Sequence, residues 1–295
     1  MKSMQRHLPR ITFILLALFL VVLLTRGLEE TTRMLIVGSL AMFACCWASA
    51  IHLLGARAAL HFVLIAVSLG WFAEQMGSTY GWFFGHYTYT EVLGWRVGDV
   101  PMVIPLMWFA LTYIAYVIAN LMVWQTPVDA DVKFKAPLGQ SIVQSFLAAM
   151  IVTAYDLGAD PYMVFTLKAW IMHKTDGWWF GETLQGFVGW MAVSFVIIFL
   201  FRLTLRRRPP VAAASVSRAH TIVPLAIYGG NMLFQACLGT PVETRTIALF
   251  AMGIPLLAAL CGWSRWQAPV SATVTELPAS PVVAAARMAA VAREA

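Results

Sequence analysis

Long apolar stretches separated by short polar segments run along most of the 295 residues. Most of these stretches approach or exceed the roughly 20 residues that a helix needs to cross the hydrocarbon core of a bilayer. The first stretch is short and follows Lys2, Arg6 and Arg10, as in a secretory signal, but no small-residue cleavage site follows it, so we interpret it as a retained helix. The pattern predicts eight spans, at residues 11–25, 34–54, 58–75, 102–124, 139–156, 186–203, 221–237 and 245–263.

Composition supports this interpretation. The chain is 60% hydrophobic and 12% charged, with a mean hydropathy of +0.76, whereas a soluble domain carries about 25% charged residues. We therefore predict an all-α fold, a polytopic transmembrane helical bundle in which residues 1–263 form one membrane-embedded catalytic domain. After about Ser264 the sequence changes to Ala, Pro, Val, Ser and Thr without periodicity, which predicts a disordered cytoplasmic tail over residues 264–295.

The positive charges predict an orientation. Most of the 20 Lys and Arg residues fall in segments that are cytoplasmic if the N-terminus is inside, as the positive-inside rule requires. An even number of spans then places both termini in the cytoplasm, and we predict a multi-pass protein of the inner (plasma) membrane. The net charge of +6 does not indicate nucleic-acid binding, because the cations are spread through short loops.

Two connections, residues 76–101 and 157–185, are longer than ordinary loops, and both lie on the outer face in this orientation. We expect both to be structured and to form a cap together. The run from Tyr162 to Met172 is about half a span, which favours an interfacial or re-entrant segment over a crossing one. Many aromatic residues crowd the two connections, and they form either an interfacial belt or the wall of a groove for a long apolar ligand: Tyr80, Trp82, Phe83, Phe84, Tyr87, Tyr89, Trp95, Trp178, Trp179 and Phe180.

Two acidic residues near span ends are candidates for chemistry, since a carboxylate in hydrocarbon is costly. Glu74 lies in the last turn of the third span and Asp156 in that of the fifth, with Gly77 and Gly158 placed to end those helices. The helix dipole and desolvation both favour the protonated form there, as a general acid requires. The alternative is a carboxyl that caps a loop or pairs with a nearby cation, such as Arg96, Lys168 or Lys174.

Asp160 follows Asp156 by four residues, so an unbroken helix would place both on one face. Pro161 disfavours the helical conformation of the residue before it, and we therefore predict that the helix ends before Asp160. His86 is a candidate for orienting a water or a carboxyl, or else an ordinary loop histidine. No His-x-x-His or His-x-x-x-His pair joins His86 to His173 or to another histidine, so no metal site is predicted.

Two blocks of sequence resemble a known family. The first runs from Phe84-Gly85-His86-Tyr87-x-Tyr89 through Leu93-Gly94 to Gly98-x-Val100-Pro101-x-x-x-Pro105-Leu106-x-Trp108-Phe109. The second comprises Asp156-Leu157-x-x-Asp160-Pro161, Trp170, Gly177-x-x-Phe180-Gly181 and Phe187-x-Gly189-Trp190. They resemble the integral-membrane carotenoid biosynthesis proteins, which include carotenoid 1′,2′-hydratases that act on γ-carotene-type and bisanhydrobacterioruberin-type ends. The similarity spans about residues 68–200; Gly186 stands where the family has an asparagine, and Met107 where a small residue is expected.

The resemblance implies cofactor-independent addition of water across the terminal 1′,2′ double bond of an acyclic or monocyclic carotenoid. Asp156 would donate the proton, Asp160 or Glu74 would assist, and His86 and Tyr87 would orient the water. The substrate would come from the membrane lipid, and other carotenoid enzymes would be possible partners. The rings expected to bind the substrate are Tyr87, Tyr89, Trp82, Trp178, Trp179 and Phe180.

Two other functions stay open at this point. Asp156-x-x-x-Asp160 has the form of a magnesium-diphosphate motif of membrane prenyltransferases, but such enzymes need several carboxylates, and only one such cluster is visible. Another carotenoid end-group enzyme belongs with this alternative. The second open function is a non-enzymatic transporter or scaffold, although transporters typically place polar groups near the midplane in inverted repeats.

Overall fold

The computed structural model describes residues 2–28, 32–128, 137–207 and 218–266. In these ranges, eight helices are long and apolar enough to cross a membrane, and each predicted span falls on one of them, so the predicted multi-pass helical bundle is confirmed. The helices are α1 Lys2–Leu28, α2 Thr32–Leu54, α3 Ala56–Tyr80, α4 Val103–Trp124, α5 Leu138–Pro161, α6 Leu184–Arg207, α7 Val223–Leu238 and α8 Glu243–Arg265. Of the predicted tail, Ser264 and Arg265 still belong to α8, and residues 267–295 lie outside the described part.

The helices run alternately up and down. Arg26 near the end of α1, Glu74 near the end of α3, Asp156 near the end of α5 and Gly239 after α7 all line one cavity. The start of α1 and the end of α8 therefore lie together at the opposite end of the bundle, as an even number of spans requires. On which side of the membrane these ends lie stays a prediction.

The central helix of the bundle is α4. It is apolar on all sides, as expected for a helix surrounded by others, and it packs against α2, α3, α5, α6, α7 and α8. Aromatic rings fill the layer around it: Phe62 of α3 stacks on Phe201 of α6 with ring centroids 3.9 Å apart. On another side Gly262 of α8 lies against the Leu121 carbonyl of α4, since a Cβ at position 262 would be 2.0 Å from that oxygen. A small residue lets the two backbones approach this closely.

The third helix ends later than predicted. It continues past Gly77 to Tyr80, and Gly81, with φ of 72°, forms the left-handed C-cap by donating its backbone N–H to the Gly77 carbonyl. Gly77 has a different reason to be glycine, because a Cβ there would lie 3.0 Å from the Tyr87 hydroxyl oxygen. Glycine at position 77 is therefore explained by the close approach of the segment that contains Tyr87, and not by the end of the helix.

The prediction that the fifth helix ends before Asp160 is wrong. α5 continues through Asp160 and Pro161, and a π-helical turn, Tyr162–Thr166, follows. Pro161 lacks an N–H, which would leave the Leu157 carbonyl without its helical donor, but the indole Nε1 of Trp179 donates to that carbonyl at 3.0 Å. This tertiary hydrogen bond compensates for the proline, and Asp156 and Asp160 therefore share one face of a continuous helix. The run from Tyr162 onward leaves this turn and ends in a short strand. The strands among the described residues are β1 Tyr87–Tyr89, β2 Arg96–Val97, β3 Val100–Pro101 and β4 Trp170–Met172.

Gly262→Ala is expected to destabilise the bundle. Its Cβ would collide with the backbone of Leu121, so α4 and α8 must separate, at a cost of about 1–3 kcal/mol for overpacking. Thermal unfolding in detergent measures the change. Gly139→Ala is the matched control, since a Cβ there meets no atom within 4 Å; equal melting temperatures for the two variants would contradict this packing.

Candidate active site

The two long connections form one structural unit, which we call the cap: residues 81–102 and 162–183. Strand β1 (Tyr87–Tyr89) of the first connection pairs antiparallel with β4 of the second, and Tyr89 lies directly opposite Trp170. The pairing extends beyond both strands, because the Thr90 N–H donates to the Ala169 carbonyl at 3.0 Å and the His173 N–H to the His86 carbonyl at 3.0 Å. The sequence prediction that the two connections combine into a cap is confirmed.

A cavity of about 270 Å³ lies between the cap and the helices. Residues from α1 through α7 line it. Its volume is just below the roughly 300–1,000 Å³ of typical ligand pockets, so it suits one end of a long molecule. Four carboxyl groups line it, those of Glu74, Asp156, Asp160 and Glu182. Apolar side chains from the helices form much of the remaining wall: Phe19, Leu35, Met42, Leu111, Trp190 and Phe234.

Glu74 is buried and holds the cap to two helices. Its carboxyl accepts hydrogen bonds from the indole of Trp108 on α4 at 2.8 Å, from the hydroxyl of Tyr89 at 2.8 Å, and from the hydroxyl of Tyr87. An indole N–H can only donate, so Glu74 acts as an acceptor at this junction. Tyr87 and Tyr89, predicted to bind substrate, thus also anchor β1 through their hydroxyl groups.

The two aspartates of α5 have different surroundings. Asp160 is 5% exposed and accepts a hydrogen bond from the Trp170 indole at 3.0 Å. Asp156 is 1% exposed, and its Oδ2 has no hydrogen-bond partner among the described residues. Burial of a polar atom without a partner is costly, so such an atom facing a cavity is a candidate for binding or proton transfer.

Glu182 is a cavity residue that the sequence analysis passed over. It is 5% exposed, and its Oε2 has no hydrogen-bond partner in the described part of the chain. A tight turn before α6 holds it, in which the Glu182 N–H donates to the Trp179 carbonyl at 2.8 Å and the Gly177 N–H to the Gly181 carbonyl at 3.2 Å. A Cβ on Gly177 would lie 1.8 Å from the Glu182 carbonyl oxygen, so only glycine fits there.

Burial, and after it the charge of Asp160, raises the pKa of the Glu182 carboxyl from 4.5 to about 9. The group is therefore protonated at neutral pH. The sequence did carry a signal: Glu182 directly follows the Phe180-Gly181 element of the second block and precedes an apolar span. From its neighbours in sequence alone, an acidic residue just before a span looks like an ordinary loop residue. Its burial depends on how the turn folds.

His86 stands at the edge of the cavity. Its ring lines the cavity, is exposed on one side, and stacks on His173 with centroids 6.2 Å apart and planes 9° apart. Gly81 makes room for it, since a Cβ there would lie 2.5 Å from the His86 ring. Among the described residues, no three His, Cys, Asp or Glu side chains are grouped so as to hold a metal ion.

Four of the rings predicted to bind substrate are not among the residues that line the cavity: Trp82, Trp178, Trp179 and Phe180. Trp178 is 80% exposed, and Trp82 is 53% exposed and packs on Tyr80. Such exposed rings at the end of a bundle resemble an interfacial belt. The indole N–H of Trp179 donates a hydrogen bond to the Leu157 carbonyl.

Other aromatic residues form the cavity wall. Trp108 of α4 and Trp190 of α6 stack with centroids 4.6 Å apart, and Phe84 stacks on Trp108 at 6.1 Å. Trp170 completes the wall at β4. All four belong to the two sequence blocks described above, so the sequence contained a signal for the rings of the cavity wall.

These features define a multi-pass helical membrane protein with carboxyl groups in a capped internal cavity. Residues 31–260 match the profile of the family described as carotenoid biosynthesis protein. Because the match covers most of the chain, the protein belongs to this carotenoid biosynthesis family, as its two sequence blocks predicted. α1, which contributes Phe19 and Arg26 to the cavity, precedes the matched region.

The chain is also similar to one curated protein whose name gives an activity. A bisanhydrobacterioruberin hydratase from Haloarcula japonica is 29% identical over 152 residues, which is 49% of this chain and 47% of the relative. The match thus spans about half the length of each protein. No solved structure shows significant similarity to the chain.

Tyr89→Phe is expected to lower the free energy of unfolding by about 1–3 kcal/mol, because it removes a buried donor to the Glu74 carboxyl. Thermal unfolding in detergent measures the loss. Tyr80→Phe is the control, since Tyr80 is 59% exposed and surface changes usually stay within about 0.5 kcal/mol. Equal losses in the two variants would show that the Glu74 junction does not stabilise the cap.

Glu182→Gln is expected to change how stability depends on pH. A carboxyl with a pKa of about 9 in the folded protein and 4.5 as its ordinary value contributes stability that is full below pH about 4.5 and is lost as the pH rises towards 9. Glutamine does not titrate. The melting temperature of the variant relative to the wild type should therefore rise between about pH 5 and about pH 9, and a constant difference would contradict the raised pKa.

Proposed function

We propose that this protein is a carotenoid hydratase that adds water across the terminal 1′,2′ double bond of an acyclic or monocyclic carotenoid. The observation that carries the proposal is Asp156, a buried carboxyl with one unpartnered oxygen in a cavity with a largely apolar wall. Membership of the carotenoid biosynthesis family supports an enzyme of that pathway. The Haloarcula relative is named as a hydratase, which supports the reaction type.

Hydration of such a double bond needs an acid and a positioned water. Transfer of a proton to the less substituted alkene carbon forms a C–H bond and leaves a tertiary cation on its neighbour. Water then forms a C–O bond with the cation, and the resulting oxonium loses one proton. The net change is the addition of one water molecule, and no electron acceptor or donor takes part.

Asp156 is the proton donor in this proposal. An ionised carboxyl is costly to bury in apolar surroundings, and the Oδ2 of Asp156 has no competing protein partner among the described residues. Asp160 lies one turn further along the same helix, and the indole of Trp170 fixes its carboxyl. Glu74 assists by holding β1, and with it Tyr87, at the cavity. Both residues therefore support Asp156 from fixed positions.

The aromatic wall stabilises the cation. Trp108 and Trp190, with Phe84 beside them, line the same cavity as Asp156. A cation over an aromatic face gains on the order of 0.5–2 kcal/mol per ring. Trp82, Trp178 and Trp179, which the sequence predicted to bind the substrate, do not line the cavity, so this proposal assigns stabilisation of the cation to Trp108 and Trp190.

The nucleophilic water is oriented by His86 and Tyr87. His86 lies at the edge of the cavity and is exposed, so water reaches its ring. The Tyr87 hydroxyl donates its hydrogen to Glu74 and keeps a lone pair that can accept a hydrogen bond from water. These groups need no cofactor for the reaction.

The substrate approaches from the lipid phase. A carotenoid is apolar along its length, and the helix side of the cavity offers apolar contacts with Phe19, Met42 and Leu111. The carboxyl groups line the same cavity from the ends of α3 and α5 and from the turn before α6. One end of the polyene would then reach the acids while the remainder stays in apolar surroundings.

Expression in a carotenoid-producing host tests the proposal. The wild type should yield 1′-hydroxylated carotenoids that are heavier by one water, detected by liquid chromatography and mass spectrometry. Asp156→Asn keeps the size of the side chain and removes the proton donor, so its product should fall at least about 100-fold.

Asp176→Asn is the matched control, because Asp176 is an exposed cap residue paired with Lys174 at 3.5 Å; it should retain full activity. Full activity of Asp156→Asn would remove Asp156 from the mechanism. An unchanged pigment profile with several acyclic and monocyclic substrates would overturn the hydratase assignment, and a prenylated product that forms only in the presence of Mg²⁺ would favour a prenyltransferase.

A further inference from the structure

Glu182 is a buried carboxyl of the cavity to which the proposed mechanism assigns no step. We propose that Glu182 is a proton relay that takes the proton from the adding water and returns one to Asp156. This inference rests on the proposed hydration reaction and adds a second catalytic residue to it. The carboxyls of Glu74 and Asp160 do not fill this role, because aromatic donors hold them.

Two carboxyls of the cavity are set apart from the others. Asp156 and Glu182 each have a buried oxygen without a hydrogen-bond partner among the described residues. Asp156 belongs to α5 and Glu182 to the turn that leads into α6, and the Trp179 indole of that turn donates to the Leu157 carbonyl of α5 at 3.0 Å. Both residues line the same cavity. A substrate end in the cavity therefore has access to both.

The local backbone is built to place the Glu182 carboxyl. Gly177 allows the turn to close over the Glu182 backbone, and Gly186, in the first turn of α6, leaves space for the Glu182 side chain. A Cβ at position 186 would lie 2.7 Å from Glu182 Oε1 and 3.0 Å from its Cγ. The carboxyl therefore occupies space that any larger residue at position 186 would take.

A relay through Glu182 closes the proton balance of the reaction. When Asp156 gives its proton to the alkene carbon, it becomes a carboxylate, and the oxonium formed by water must lose a proton. A protonated Glu182 accepts that proton on one oxygen while its O–H passes a proton to Asp156. Both carboxyls then carry a proton again, and the alcohol leaves neutral. The raised pKa of Glu182 supports this cycle, because burial keeps the group protonated at neutral pH.

The relay acts after the alkene is protonated, and this order makes it testable. In D₂O, reversible protonation by Asp156 introduces deuterium into unreacted carotenoid even when hydration is not completed. Glu182→Gln should therefore lower kcat for hydration about 100-fold or more, leave KM within about threefold, and still deuterate the substrate. Asp156→Asn should lose both hydration and deuteration. Mass spectrometry of the recovered carotenoid measures both outcomes.

Two further variants and one glycine control distinguish loss of the Glu182 carboxyl from a general loss of folding. Glu91→Gln removes an exposed cap glutamate whose carboxyl is paired with Arg96 at 3.1 Å, and it should hydrate as the wild type does. Gly186→Ala should displace the Glu182 carboxyl and lower kcat about tenfold or more, whereas Gly139→Ala should not.

The outcomes separate the relay from the hydratase assignment. Hydration by Glu182→Gln or by Gly186→Ala at the wild-type rate would overturn the relay and leave the hydratase intact. Loss of deuteration together with hydration in a folded Glu182→Gln protein would also overturn it, because Glu182 would then act before or during alkene protonation. Absence of hydration by the wild type would overturn both.

Discussion

The hydrogen bonds accepted by Glu74 join α3, α4 and β1, and the rest of the site depends on this junction. Groups at this depth have little water to bind, so their partners must come from the protein. Tyr89, one of the donors, lies opposite Trp170 across the β1–β4 pairing, and the two rings meet edge to face at 5.9 Å. Trp170 in turn donates to Asp160 of α5. One cross-strand pair therefore connects two buried carboxyls and positions the cap over the cavity.

The four carboxyls of the cavity divide into two kinds through this arrangement. Glu74 and Asp160 accept hydrogen bonds from aromatic donors, and their positions are determined by those contacts. Asp156 and Glu182 each keep an oxygen without a protein partner among the described residues. A buried polar atom in that condition is costly for folding, and its retention beside a cavity is what proton-transfer chemistry requires. In the proposed mechanism, structural and chemical functions thus fall on different members of one acidic cluster.

Much of the architecture could be predicted because the relevant physics is local. A run of about 20 apolar residues must be placed in the hydrocarbon core whatever its neighbours are, so the span positions agree with the helices. The acids at the ends of the third and fifth spans stand out for a similar reason, since charge in such a position is costly. The end of α5 shows where local rules fail. The helix continues through Asp160 despite the bias against a helical residue before Pro161, and Trp179 donates to the Leu157 carbonyl that the proline leaves without its helical donor.

The amino-acid sequence by itself determined the membrane class, the number of helices, the family and three of the four carboxyls that line the cavity. Only the tertiary structure decided which rings line the cavity, that Asp156 and Asp160 share a helix face, and that Glu182 joins them. The physical reason is the range of the interactions involved. Hydrophobicity acts through neighbouring residues along the chain, whereas the pKa of Glu182 depends on its burial in the folded protein and on the charge of Asp160, 22 residues away in sequence.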